Sequence, residues 1–393
     1  MKILSIMCDM VRPNVLDFSK PVTNGFEEKI MEIGGTLYSN CFSPGPDTGR
    51  SMGCYWSGRI PQDNGCDTRA KYPKFYLKTD SFLEVLAKKD FDFYFFTNPN
   101  EKVLGDLPAG YENEGIHNED LDLKKFLSKI DLAQENIYAH IFLTDFHWAI
   151  DDYGANGQGV EQGLRILRES IDIIFDILPI DEFDYVIIFS DHGFKYNIEF
   201  ESQQKYLMLN RDRSNVFMFV HQREDKDDFS YNEKLCSLID IYPTIMEMIH
   251  EKYEGYAYSL FSNNEHEFVI ADDHSEFLPK VNQTIELWAL IKKNKIYFRT
   301  FDGYYQDDGN EFELNKDEFD DFLCSQSQSF SEVLKQLNIL KLYKTMATDK
   351  SYYTNGEPRY SIKKREIIKR LNRKRNLNTT RETYNKKWYG SRR

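Results

Sequence analysis

Short apolar runs alternate with amphipathic ones over the first two-thirds of the chain. "KILSIMCD" is apolar for most of its length and stops at an acid, which predicts a buried strand. "NGFEEKIMEIGG" predicts a helix closed by glycines, and "TLYSNCF" a second strand. Another helix is predicted over Thr48 to Tyr55, and further strands over Phe91–Thr97 and Ile137–Asp145. "GVEQGLRILRESIDIIFDIL" is a long amphipathic helix with Leu164, Leu167, Ile171, Ile174 and Leu178 on one stripe. "DYVIIFSDHG" is a strand ending in polar residues, "NVFMFVH" is another, and "SLIDIYPTIMEMIHE" is a helix starting near Asp240–Pro243. Strands apolar on both faces, alternating with helices, predict an α/β fold: a mostly parallel sheet sandwiched between helices.

After Phe261 the pattern shortens. "EFVIADD", "IELWALIKKN" and "KIYFRTFDG" predict a small antiparallel subdomain with Lys293–Lys295 at a hairpin tip. "DEFDDFLCSQSQSFSEVLKQLNILKLYKTM" predicts helix, and beyond Arg359 the chain becomes densely basic. The pattern divides the chain into a main α/β domain at 1–262, a small antiparallel subdomain at 263–318, and a helical segment with a basic tail at 319–393.

Composition narrows the class. The 393 residues suffice for one large α/β domain with an appendage. With 64 acidic against 50 basic residues the formal charge is −14, which argues against a general nucleic-acid binder. The opening apolar run meets Asp9 within a few residues, so no signal peptide is predicted, and no run is long enough to span a bilayer. The six cysteines are scattered without a CxxC pair and are expected to be reduced thiols. The expected location is the cytoplasm. Within the tail, "IKKREIIKRLNRKR" forms a basic helix pattern with Ile362, Ile367, Ile368 and Leu371 as an apolar seam. That suits peripheral contact with the inner face of a membrane; a solvated extension is the alternative.

Candidate chemistry gathers at strand ends, where α/β folds place their ligands. Asp9, the Asp145–His147 pair and Asp191–His192 all follow predicted strands. One such Asp is ordinarily a turn residue and one such His an ordinary core or surface group. Several together offer the oxygen and nitrogen donors a divalent metal takes. Thr48 stands where a Gly- and Pro-rich loop becomes a helix. It is either the helix cap or a nucleophile aimed at an anion, since a helix N-terminus attracts both.

Several of these segments, taken in order, resemble the sulfatase branch of the alkaline phosphatase superfamily. "ILSIMCDMVRPN" looks like the family's opening strand with its metal-binding Asp, and "PVTNGFEEKIMEIGGTLYSNCFS" like the helix and strand that follow it. "TGRSMGCYWSGRIP" is similar to the nucleophile helix "CxPSRxxxLTGRYP"; with Gly58–Pro61 on "GRYP", the nucleophile position falls on Thr48. "FSDHGF" resembles the metal-binding "SDHGE" strand end, "SLIDIYPTIMEMI" with "GYAYSLF" the "HIDLAPTLLDLAG" and "GxSLLP" segments, and "LIKKNKIYFRTFDG" the "RTGRYKYI" hairpin. The resemblance implies Asp9, Asp191 and His192 as metal ligands and Thr48 as nucleophile and fourth ligand. It also implies His147 as a substrate-contacting or second-metal histidine, His274 as a further histidine, and Lys205 as a contact to the substrate anion.

Departures from the family pattern set the expected reaction. Thr cannot become the formylglycine of true sulfatases, and Thr is the nucleophile in the phosphodiesterase and phosphoethanolamine- or phosphoglycerol-transferase branches. Met10 replaces the second Asp of the usual pair, which favours Zn, Mn or Mg over Ca. Met52 replaces the family's arginine, while Arg50 appears two positions earlier, able to hold a phosphoryl oxygen or to stand exposed in the first helical turn. The expectation is a metal-dependent phosphoester hydrolase or phosphotransferase working through a phospho-threonine, with Arg50, His147 and His274 assisting. Its substrate would be a small-molecule or glycan phosphoester, including surface-polysaccharide or lipid-linked groups, with no specific nucleic-acid partner. A sulfuric ester hydrolase, or an inactive binding module on the same fold, are the alternatives.

Overall fold

The computed structural model describes residues 1–23, 25–66, 77, 79–96, 122–194, 209–224, 228–272, 286–300, 303–307, 311–326, 353–354 and 357–358. His274, Lys205 and the basic tail lie outside them. The chain forms two compact units, Met1–Glu332 and Val333–Arg393. In the second, Tyr353–Thr354 pairs antiparallel with Glu357–Pro358.

The first unit opens with β1 (Lys2–Cys8), α1 (Phe26–Ile33), β2 (Gly35–Phe42), α2 (Thr48–Ser57) and the single turn α3 (Pro61–Asn64). It continues with α4 (Phe82–Ala87), β3 (Asp92–Phe96), α5 (Leu123–Leu127), β4 (Ile137–Leu143), α6 (Asp145–Tyr153), α7 (Gly157–Ile177) and β5 (Tyr185–Phe189). Then come α8 (Arg211–Ser214), β6 (Asn215–Val216), β7 (Met218–Gln222), β8 (Phe229–Ser237) and α9 (Ile241–Met248). The sheet order is β3-β4-β1-β5-β7-β2-β6, with β8 on β2. Pairing is parallel from β3 to β5 and between β2 and β8; β6 and β7 run against their neighbours, so the sheet is mixed but mostly parallel. The "NVFMFVH" strand is thus two short pieces, broken at Phe217.

Strand alternation sorts the core into two layers. Ile3, Met7, Tyr138, Phe142, Ile187 and Phe189 pack with residues of α2, α4 and α9. Leu4, Ile6, Ile137, Ala139, Ile141, Val186 and Ile188 pack with α1, α5, α6 and α7. Both faces are dry, which is why these strands read as continuous apolar runs. On α7, Leu167, Ile171 and Ile174 are buried, as their spacing predicts.

A second sheet, β9 (Val269–Asp272), β10 (Glu286–Ile291), β11 (Ile296–Thr300) and β12 (Tyr304–Gln306), is antiparallel throughout and followed by α10 (Lys316–Gln326). Its β10–β11 hairpin turns at 292–295, where Lys292 N–H donates to the Lys295 carbonyl at 2.8 Å. Among the described residues no helix is long and apolar enough to cross a membrane.

Candidate active site

Register brings the acids together. Met7 is level with Phe189 across the β1–β5 pair, so two residues later Asp9 and Asp191 leave the sheet side by side. β4 lies on the other side of β1 and delivers His147 from the first turn of α6. β2 runs in the same direction and passes through the loop 43–47 into α2, which starts at Thr48.

Each acid has one oxygen committed and one left over. Asp191 Oδ1 accepts the backbone N–H groups of His192 at 2.8 Å and Met10 at 3.1 Å. Asp9 Oδ2 pairs with His147 Nδ1 at 2.7 Å. Asp9 Oδ1 and Asp191 Oδ2 are buried and have no hydrogen-bond partner. His192 Nδ1–H donates to the Gly193 carbonyl at 2.8 Å, which leaves Nε2 to face Asp191 Oδ2 at 3.5 Å and Asp9 Oδ1 at 3.7 Å. These donors lie within 4.8 Å of one another. Two orphaned carboxylate oxygens and a bare imidazole nitrogen, fixed from behind, suit a divalent cation; without one they are a costly arrangement to bury.

Electrostatics agree. Burial raises the Asp191 pKa above the ordinary carboxylate value; His192 opposes that shift and Asp9 adds to it. Burial pulls the His147 imidazole down, but Asp9 outweighs it and, with Asp151, lifts it to about 9.

Thr48 is not the cap. Asp47, in extended backbone, accepts the Arg50 N–H at 3.3 Å and fills that role. Thr48 is the first helical residue, buried, with Oγ1 3.4 Å from His192 Nε2. Gly58, in the left-handed region at φ 64°, closes the helix.

Local backbone is bent to this purpose. Met10 holds φ 68°, unusual for a side-chain-bearing residue, and so aims its N–H at Asp191. Gly193 lies so close to α8 that a Cβ there would sit 2.1 Å from the Asp212 carbonyl oxygen. Ser51 Oγ donates to the Asp191 carbonyl at 2.8 Å, tying α2 to the end of β5.

Of the residues singled out in the sequence, Asp9, Thr48, His147, Asp191 and His192 come together here. Arg50 is fully buried, so it is not the exposed arginine its position allowed. Its Nε donates to Asp47 Oδ2 at 2.5 Å and a terminal nitrogen donates to the Asp272 carbonyl at 3.0 Å. Asp145 begins α6 and accepts from Ser170 Oγ at 3.2 Å. Sequence reasoning missed Asp47 as the cap, although "PDTG" offers an Asp one residue before the chosen position. It also missed Gly193 and Asp272, whose roles depend on contacts between distant segments.

No protein-family model matches the sequence, and no curated protein does. Solved structures do. A 2-O GAG sulfatase superposes with TM-score 0.59 at 12% identity, covering 91% of this chain and 95% of its own. The phosphonate monoester hydrolase of Agrobacterium radiobacter gives 0.55 at 10% identity, covering 86% and 96%. An alkaline phosphatase superfamily protein from Vibrio parahaemolyticus gives 0.58 at 10% identity, covering 85% and 87%. At such identities the likeness speaks for architecture, and the chain has the fold shared by these sulfatases and alkaline phosphatase superfamily proteins.

Proposed function

We propose that this protein is a metal-dependent phosphoester hydrolase or phosphotransferase with Thr48 as its nucleophile. One observation carries the proposal: Asp47 caps α2, while the Thr48 hydroxyl, freed from that task, is buried beside His192 Nε2. The phosphonate monoester hydrolases and sulfatases among its structural neighbours support a hydrolase of this fold.

Asp9, Asp191, His192 and Thr48 would hold the cation, and Zn, Mn or Mg fits their mixed oxygen and nitrogen set. Such an ion, when bound, makes a hydroxyl a stronger nucleophile and offsets negative charge on a transferring phosphoryl group. The chain's own residues do the rest. Thr48 Oγ1, its hydroxyl proton passing to water, attacks phosphorus in line, and its new bond to phosphorus forms as the bond to the leaving oxygen breaks. The first N–H groups of α2 favour the anionic oxygens. His147, fixed at Nδ1 by Asp9 and one-third exposed, donates its Nε2 proton to the leaving oxygen. Water, or a sugar hydroxyl in a transferase, then takes the phosphoryl group from Thr48.

The test is initial rates on chromogenic phosphodiester, phosphomonoester and sulfate esters with added Mn or Zn, for wild type and Thr48→Ala. The proposal expects metal-dependent turnover of a phosphate ester, falling by a factor of roughly 10³ in the variant. Turnover confined to the sulfate ester, or unchanged in Thr48→Ala, would refute it.

A further inference from the structure

The loop that delivers Thr48 is held at almost every residue. Ser43 N–H donates to the Ser214 carbonyl at 2.7 Å. The Pro44 carbonyl accepts the Asp272 N–H at 2.8 Å, and the Pro46 carbonyl accepts from Arg213 at 2.9 Å. Asp47 is held by Arg50 through both its backbone N–H and its Nε. Gly45 packs so tightly that a Cβ there would sit 2.8 Å from the Arg50 Cβ.

One of these clamps ends on Asp272, which also holds the arginine that makes another. Asp272 closes β9 of the second sheet and is fully buried. Its N–H takes Pro44, its carbonyl takes Arg50, and its Oδ1 lies 3.7 Å from the Arg50 guanidinium. Arg50 is thereby enclosed between Asp47 and Asp272. A buried guanidinium needs such partners, and a change in one redistributes its bonds to the other. Asp47 is both the Arg50 partner and the cap of the helix whose first residue is Thr48.

We propose that Asp272 is a positioning residue for Thr48, acting from the second sheet through the buried Arg50 to the Asp47 cap. The idea rests on the assignment of Thr48 as nucleophile. It makes the small antiparallel sheet part of the site's scaffold: β9 sets where the Thr48 hydroxyl stands relative to Asp191 and His192. A displacement of the loop by a fraction of an ångström weakens in-line attack without removing any ligand or the nucleophile.

The experiment compares wild type, Asp272→Asn, Arg50→Gln and the double variant, with Asp272→Ser as a second substitution should Asn fold poorly. The readouts are kcat and KM on the best phosphate ester, Mn affinity by calorimetry, and hydrogen exchange of the 43–52 segment. The expected result for Asp272→Asn is a kcat lower by about tenfold or more, with KM and Mn affinity within about twofold of wild type. Exchange of 43–52 should accelerate. Because Asp272 acts through Arg50, the double variant should be no slower than Arg50→Gln alone. Wild-type kcat and exchange in Asp272→Asn, or a lowered melting temperature with unchanged kcat, would overturn the proposal, as would single-variant losses that multiply in the double. Hydrogen exchange reports loop order without turnover. If Thr48→Ala retained full activity, the nucleophile assignment would fail while exchange still decided whether Asp272 orders the loop.

Discussion

His140 offers a quantitative check on how the core beneath the site is built. It lies on β4, fully buried, with Nδ1 3.1 Å from Ser5 Oγ and its ring against Tyr55 and Phe95. Its Nε2 has no hydrogen-bond partner. Burial lowers its pKa from 6.5 to about 3, so the folded protein holds it neutral. A folded pKa below the unfolded one gives stability that is complete above pH 6.5 and is lost as the pH falls through the window down to about 3. At about pH 5 the loss is about 1.5 pH units, or about 2 kcal/mol; over the whole window it approaches about 5 kcal/mol. Replacing the residue by Gln removes the titration. Urea unfolding of wild type and His140→Gln at about pH 8 and about pH 5 should therefore show the wild type losing about 2 kcal/mol more than the variant between the two conditions. Other titrating groups cancel in that comparison. Parallel losses in both proteins would show that the imidazole is solvated or partnered in the fold, contrary to its described surroundings.

Three further outcomes follow from the site. Asp191→Asn removes one orphaned oxygen and a carboxylate that burial disfavours; calorimetry should show Mn binding weakened by roughly 100-fold or more, while the metal-free melting temperature stays level or rises. Gly193→Ala forces a Cβ against the Asp212 carbonyl and displaces His192, so Mn affinity should fall by about tenfold or more with the fold retained by circular dichroism. Asp47→Ala removes both the α2 cap and an ion-pair partner of the buried Arg50 and should cost about 3 kcal/mol or more in unfolding free energy, whereas Thr48→Ala, which caps nothing, should cost less.

Much of this arrangement was legible in the sequence because apolar alternation and strand-end acids are local signals. The β1, β4, β5 and β9–β11 strands, the α7 stripe and the grouping of Asp9, Asp191 and His192 follow from such signals, whereas Thr48 joined them only through the family resemblance. The reversed direction of β6 and β7 was not, because strand direction depends on connections that apolar pattern does not record. The α6 helix escaped notice because "DFHWAIDDYG" is short and reads as the polar end of β4 until Gly154 closes it. Arg50 shows the same limit in the site: its sequence position allowed a phosphoryl clamp or an exposed side chain, and only the return of Asp272 from over 200 residues away reveals a buried strut. Asp47 is the better cap by residue type, but the Thr beside it is also favoured there, and the difference is too small for composition alone to choose between adjacent caps.

The central claim is that Thr48 takes a phosphoryl group. The direct measurement is to react the Mn- or Zn-loaded protein with its best phosphate ester, quench in acid during turnover, and map the modified peptide by mass spectrometry. A phosphoryl adduct is expected on the peptide containing Thr48, localised to that residue and missing from Thr48→Ala. Robust turnover with no adduct at any time point, or an adduct on another residue, would contradict it.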